Sequence, residues 1–286
     1  IRSNVGGFGS NIVGTYSVVI TDTTTMFSST PSSVTVQFNA LPVVTVAATT
    51  ECIGTLSTVT ATPASPGTYT YTWTVPSGAT PPGNVASFTT GVTGVYSVTI
   101  TDSVTGCVST AVTTTVQFNP NPTVTVNSPT ACFVAGATVT ATPGTAGSYD
   151  YSWTVPSGAT PPGNVSSFTT NISGTYSVII TNTVTNCVSA PASGSVTIHP
   201  QPTVSTSATT VCVGSSATVT ATPGSAGTYT YTWTVPSGAP SIPSNVGGFG
   251  TNIPGTYSVV ITDTTTMCSC TPSSDTVQFY ALPVVT

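Results

Sequence analysis

The sequence repeats itself every 80 residues, and a fixed period of that size makes the chain a string of copies of one small domain. YTYTWTVPSG starting at Tyr69 returns as YDYSWTVPSG at Tyr149 and as YTYTWTVPSG at Tyr229. The prolines Pro42, Pro122, Pro202 and Pro283 keep the same beat in the joints ALP, NPNP, HPQP and ALP. The last step is one residue longer because SGAPSIPSNVGGFG replaces SGATPPGNVASF in one loop. The units therefore run over 42–121, 122–201 and 202–286, the last including the next joint. Residues 1–41 match only the second, C-terminal half of a unit, and residues 1–45 repeat residues 242–286 almost letter for letter. That phase fits a window on a longer tandem array with a three-unit super-repeat. It also fits a half-unit completed by strands of a neighbouring chain.

Within a unit, apolar residues alternate with small polar ones: Val139 and Ala141; Tyr149, Tyr151, Trp153 and Val155; Tyr176, Val178 and Ile180. A period of two with one apolar face marks strands whose sheets each bury one side. Turn signals such as PSG, PPGN and NISG recur every eight to twelve residues, and no 3.6-residue period is sustained. The 65 Thr, 26 Gly and 24 Pro agree, since Thr suits pleated strands while Gly and Pro punctuate turns. The pattern predicts an all-β chain of β-sandwiches, about seven strands per unit, joined end to end. Trp73, Trp153 and Trp233 are expected at the core centres, and Tyr96, Tyr176 and Tyr257 near a sheet corner.

Charge excludes whole classes of function. Only Arg2, Asp22, Glu51, Asp102, Asp150, Asp263 and Asp275 are charged by type, which is 2% of the chain. With one Arg and no Lys, the chain cannot neutralise nucleic-acid phosphates or hold a polybasic membrane patch, so no nucleic-acid partner is expected. No apolar run reaches the eighteen or so residues of a membrane span, and no signal peptide opens the sequence. A catalytic centre needs several titratable groups in one place, and these are scattered one or two per unit. His199 is the single histidine and sits in the joint IHPQP with no counterpart in other units. VGGFG at 246–250 lacks the Lys of a phosphate loop. The chain is read as non-enzymatic, with no catalytic residue, no cofactor and no metal.

Six of the seven cysteines recur in phase. Cys52 with Cys107, Cys132 with Cys187 and Cys212 with Cys268 form same-unit pairs separated by 55, 55 and 56 residues. The expectation is one disulfide inside each unit, and therefore an oxidising compartment. Metal ligation is the weaker reading, because the members of each pair are far apart and no His accompanies them. Cys270 is left over as an intermolecular linker or a free thiol, at the place Ser29 holds in the first segment. Phe27 replaces the second cysteine of the half-unit.

Asn164 in NVS and Asn171 in NIS fit the N-glycosylation pattern, a short motif frequent by chance in Ser/Thr-rich sequence. Asp22-Thr23, Asp102-Ser103, Asp263-Thr264 and Asp275-Thr276 resemble the acceptor motif of a bacterial O-glycosylation system, which makes Thr23, Ser103, Thr264 and Thr276 further candidates. A unit with cysteine near its start, then TYTYTW, a glycine-rich turn and GVYSVTITDSVTGC resembles the repeats of giant cell-surface adhesins of gliding bacteria, the SprB type. It also resembles PKD-like and immunoglobulin-like modules. The resemblance covers nearly the whole chain; the Asp-rich loops of many PKD modules are missing, and so is the usual charge. It implies immunoglobulin-like sandwiches displayed outside a bacterial cell. A structural role follows: a filament or adhesin giving reach and mechanical strength, with copies of itself as partners. The competing expectations are a module binding surface glycans or a receptor through loops such as PSGATPPGN, and a spacer from a secreted hydrolase.

Overall fold

Alternating side chains become alternating burial. In a computed structural model, which describes residues 6–242 and 245–283, the strand Ala137–Pro143 buries Ala137, Val139 and Ala141, while Thr138 and Thr142 face solvent. Arg2 and part of the variable 239–250 loop lie outside the described residues. All regular elements among the described residues are strands, and the fold is that of tandem immunoglobulin-like β-sandwiches.

The second repeat shows the plan. One sheet pairs Val124–Val126 with Ala137–Pro143, and that strand with Ser167–Thr170, all antiparallel. The facing sheet has four strands in the order Thr130–Cys132, Ala192–His199, Gly174–Asn182 and Tyr149–Thr154. We call these the cysteine, closing, tyrosine and tryptophan strands. The last three pair antiparallel, whereas the cysteine strand runs parallel to the end of the closing strand, with Cys132 opposite His199. The first and third repeats follow the same order. Their closing strands break in two, and the final pieces Phe118–Asn119 and Phe279–Tyr280 pair parallel with Glu51–Cys52 and Val211–Cys212. Counting each broken strand once gives the seven expected. The residues group into two units, Ile1–Pro120 and Asn121–Thr286. The first holds the half-repeat and the first full repeat, and the second holds the other two.

Each tryptophan joins the two halves of its core. Trp153 packs on the cluster around Val139, Tyr176 and Val196 and also on the cluster around Ala141, Val178 and Ile180. Its ring meets Phe168 edge-on at 5.0 Å, and its Nε1 donates to the Val165 carbonyl at 2.8 Å, so the one polar atom of the indole is satisfied. Trp73 and Trp233 repeat both contacts. Tyr96, Tyr176 and Tyr257 are fully buried at the expected corner. The Tyr176 hydroxyl donates to the Ile172 carbonyl at 3.0 Å and lies 2.7 Å from Thr170 Oγ1, tying the tyrosine strand to the loop that enters it. That strand opens at Gly174 with φ +144, where a Cβ would come within 2.8 Å of the Pro156 ring. Gly94 and Gly255 meet Pro76 and Pro236 the same way.

The half-repeat shows what the missing strands supply. Gly14–Val18 and Ser32–Val36 form an antiparallel hairpin, and Tyr16 still donates to the Ile12 carbonyl at 3.0 Å. Yet Val18 is 56% exposed, whereas its counterpart Val259 is fully buried. The local bonds need only the hairpin, while burial worth roughly 2 kcal/mol per large apolar side chain needs both sheets.

Tyr176→Phe keeps the ring and removes the hydroxyl. It is expected to destabilise the second repeat by about 1 kcal/mol in urea unfolding, because a part-buried carbonyl and hydroxyl lose their shared partner. An unchanged midpoint would show that the corner bonds do not hold the loop.

Candidate functional site at the repeat junction

Strand direction decides where the cysteines go. Cys132 sits opposite His199, at the end of the repeat where the chain leaves. Gly174 pairs with Val196 near that same end, and the tyrosine strand runs away from it to Asn182, whose turn carries Cys187. Nine residues of strand span about 30 Å. A disulfide needs its Cα atoms within about 7 Å, so the two cysteines of one repeat cannot meet.

The structure therefore corrects all three expected pairs. Cys132 bonds to Cys268, the turn cysteine of the following repeat, with Cα atoms 5.6 Å apart. Cys107 and Cys212 are free thiols, so neither Cys52–Cys107 nor Cys212–Cys268 forms, and Cys132–Cys187 is excluded by the bond Cys132 already makes. Cys52 and Cys187 are disulfide-bonded. Equal phase within a repeat had allowed pairing across a joint as readily as pairing inside a unit. Cys270 is a buried free thiol, not a linker. Its sulfur accepts from the Ile261 amide at 3.2 Å, where Ser109 and Ser189 accept from Ile100 and Ile180 at 3.0 Å.

Around the bond, the end of the second repeat meets the turn of the third. Gln201 Nε2 donates to the Ser269 carbonyl at 3.0 Å, so the joint residue grips the turn directly. The turn itself is built by Asp263, whose Oδ1 accepts from the amides of Thr265 at 2.7 Å and Thr266 at 2.9 Å. Met267 closes it in the left-handed region at φ 60, the place of Gly106 and Asn186 in the other repeats. The Asp263 carboxyl is held below its ordinary value first by the Thr266 amide, then by the Thr265 amide, with the nearby His199 adding attraction. His199 thus belongs to the joint, as its position in IHPQP implied. The amides of Thr105 and Val104 lower Asp102 in the same way, and those of Thr24 and Thr25 lower Asp22.

The modification candidates fall on these same structural devices. Asn164 uses its whole amide: Oδ1 accepts from the Tyr151 amide at 2.7 Å, and Nδ2 donates to Asp150 at 2.7 Å. Asn171, oriented so that its nitrogen donates, reaches the carbonyls of Phe133 and Thr170 at 3.2 Å. Thr23, Ser103 and Thr264 are exposed just past the capping aspartates, and Thr264 Oγ1 donates to the Thr228 carbonyl at 3.0 Å. Thr276 lies on the open sheet face, 3.2 Å from Thr256 Oγ1. Asp275 accepts from the Ala208 amide at 2.8 Å and so ties the first strand to the closing strand. Among the described residues no group of three or more His, Cys, Asp or Glu could hold a metal. No helix among them is long and apolar enough to cross a membrane. Sequence reasoning named every cysteine at the junction and missed Gln201, which carries no signal beyond its place in the joint.

Comparison with solved structures finds proteins built from tandem immunoglobulin domains. The chain is similar to the N-terminal eight Ig domains of Down Syndrome Cell Adhesion Molecule, at 10% identity over 97% of this chain and 41% of that one, with TM-score 0.39. It is similar to Sidekick-1 immunoglobulin domains 1–4, at 13% identity over 94% of this chain and 83% of that one, with TM-score 0.28. A structure from a 1.5-MDa bacterial ice-binding adhesin matches at 13% identity over 85% of this chain and 100% of that one, with TM-score 0.37. The chain spans about two fifths of the first of these. No family model matches the chain, and no curated protein does.

Two outcomes test the junction. Reduction should leave the β-sheet circular dichroism of each repeat in place, because no core depends on a bond inside it. It should also broaden the distance distribution between spin labels placed in the second and third repeats; loss of the β signal would mean the bond holds the cores instead. The second outcome concerns acid. A carboxyl whose value is lowered in the folded state stabilises fully above the ordinary value of 3.8 and stops doing so as pH falls through the lowered value. Amide exchange at Val104 and Thr105 should therefore accelerate across that window. Exchange at Val184 and Thr185, capped by the non-titrating Asn182 at 2.9 and 3.0 Å, should not.

Proposed function

We propose that the chain is a load-bearing, non-catalytic segment of an extracellular surface filament or adhesin, of the kind bacteria display for adhesion, motility or protection. Its working parts are the half-unit 1–41 and the repeats 42–121, 122–201 and 202–286. The observation that carries this reading is the Cys132–Cys268 bond, a covalent tie between successive domains and not within one. A tie inside a domain protects that domain. A tie across a joint makes two domains share a load and fixes how they follow one another.

The bond also reroutes force. Tension entering at Cys132 can leave through Cys268, which removes the 136-residue separation between them from the load path. Disulfides support an oxidising, extracellular setting. The nearly uncharged, Thr-rich faces favour lateral contact between copies without charge repulsion. Prolines in the joints Pro120-Asn121-Pro122 and Pro200-Gln201-Pro202 restrict backbone rotation. A glycan coat at Thr23, Ser103 and Thr264 fits the same setting, since these residues are exposed at hairpin turns.

Single-molecule pulling from the two ends tests the reading. Oxidised chains should reach a shorter full extension than reduced ones; after reduction, further steps of about 25 nm should appear, the length of an 80-residue domain pulled from folded to extended. Identical traces in both states would remove the mechanical role.

A further inference from the structure

The two free thiols outside the core, Cys107 and Cys212, occupy the two halves of the bond that Cys132 and Cys268 complete. Cys212 ends the cysteine strand Val211–Cys212, opposite Tyr280, as Cys132 ends its own strand opposite His199. Cys107 follows the turn of Asp102 and Gly106, as Cys268 follows that of Asp263 and Met267: Asp102 N donates to the Cys107 carbonyl and Asp263 N to the Cys268 carbonyl, both at 2.9 Å. At the turn position the bonded Cys268 is fully buried and Cys107 partly open; at the strand end the bonded Cys132 is half-buried and Cys212 exposed. The third thiol, Cys270, lies in the core and takes no part.

We infer that Cys212 is a covalent docking site for a further repeat of this same type, bonding to a turn cysteine at the place of Cys107, and that Cys107 receives the strand-end cysteine of a preceding repeat in the same way. The inference rests on the in-series reading above. The Cys132–Cys268 bond shows what these two positions do when a second repeat is present. Sequence fixes the register. Residues 242–286 nearly reproduce residues 1–45, which puts a repeat docked after the third in the phase of the first, whose turn cysteine is Cys107.

The chemistry needs an oxidant, and a small disulfide such as oxidised glutathione supplies it. The Cys212 thiolate attacks one sulfur, forming a mixed disulfide and releasing one small thiolate. The turn-cysteine thiolate then attacks the Cys212 sulfur and expels the second. Two protein thiols have lost two electrons and two protons, and one small disulfide has become two thiols.

Full-length protein taken from its native surface, blocked with N-ethylmaleimide and digested without reduction, tests this. A peptide carrying Cys212 joined to a turn peptide of the Cys107 type is expected, with neither cysteine labelled. On a non-reducing gel, unchanged mass places the link within one longer chain, and a ladder that collapses on reduction places it between chains; either accompanies a supporting result. In a Cys212→Ser strain the turn cysteine should change from unlabelled to fully labelled, whereas Cys270→Ser should leave it unlabelled. Recovery of labelled Cys212 beside an intact Cys132–Cys268 peptide overturns this inference alone. Loss of both links overturns the in-series reading with it.

Discussion

Strand direction is the constraint on which the rest depends. Once the tyrosine strand runs from Gly174 to Asn182 antiparallel to the closing strand, the two cysteines of a repeat lie at opposite ends of a sandwich about 30 Å long. Oxidation then has one geometric outlet, which is the neighbouring domain. Gln201 and the Asp263 turn fall at that outlet because the chain leaves one repeat and the next presents its hairpin there. A bond that looks like a staple for a small domain becomes a fastener between domains. Each domain must then hold itself together with its own core. Trp153, Phe168 and Tyr176, stacked through the middle of both sheets, do that.

The poverty of charge has a structural counterpart. Outer faces pair hydroxyl with hydroxyl across strands: Thr60 with Ser87 at 2.8 Å, Thr140 with Ser167 at 3.0 Å, and Thr256 with Thr276 at 3.2 Å. Such pairs stabilise neighbouring strands without ion pairs and without a field that salt would screen. The few carboxylates are spent on geometry. Asp102 and Asp263 cap hairpins and Asp275 holds two strands together.

The sheets, the tryptophan core and the tyrosine corner were legible in the sequence, because alternation and turn residues are local signals. Val139, Tyr176 and Ile180 could be placed on an inner face by counting alone. The cysteine pairing was not legible, and the reason is specific. Six cysteines at one phase give the same separations whether Cys132 looks back to its own turn or forward to the next. Only the parallel pairing of Thr130–Cys132 with the end of the closing strand settles it, and a three-residue strand carries no periodicity from which to read its partner. The asparagines misled in a milder way: Asn164 sits in a modification motif, yet its counterpart Asn84 accepts from the Tyr71 amide at 2.7 Å with no such motif around it.

Cys268 and Cys270 are two residues apart, and only one is bonded, which shows how the fold selects. Cys270 follows Ser269, the residue bridged to Thr262, and turns into the core, where the Ile261 amide donates to its sulfur. Buried there, the sulfur is closed off from a partner thiol. Cys268 precedes that bridge and still belongs to the hairpin that Asp263 caps and that Gln201 ties to the previous repeat. The left-handed residue before it turns the chain so that the sulfur faces the joint. Replacing Ser by Cys in the core therefore changes an acceptor atom, whereas a cysteine at the turn changes what the domain is attached to.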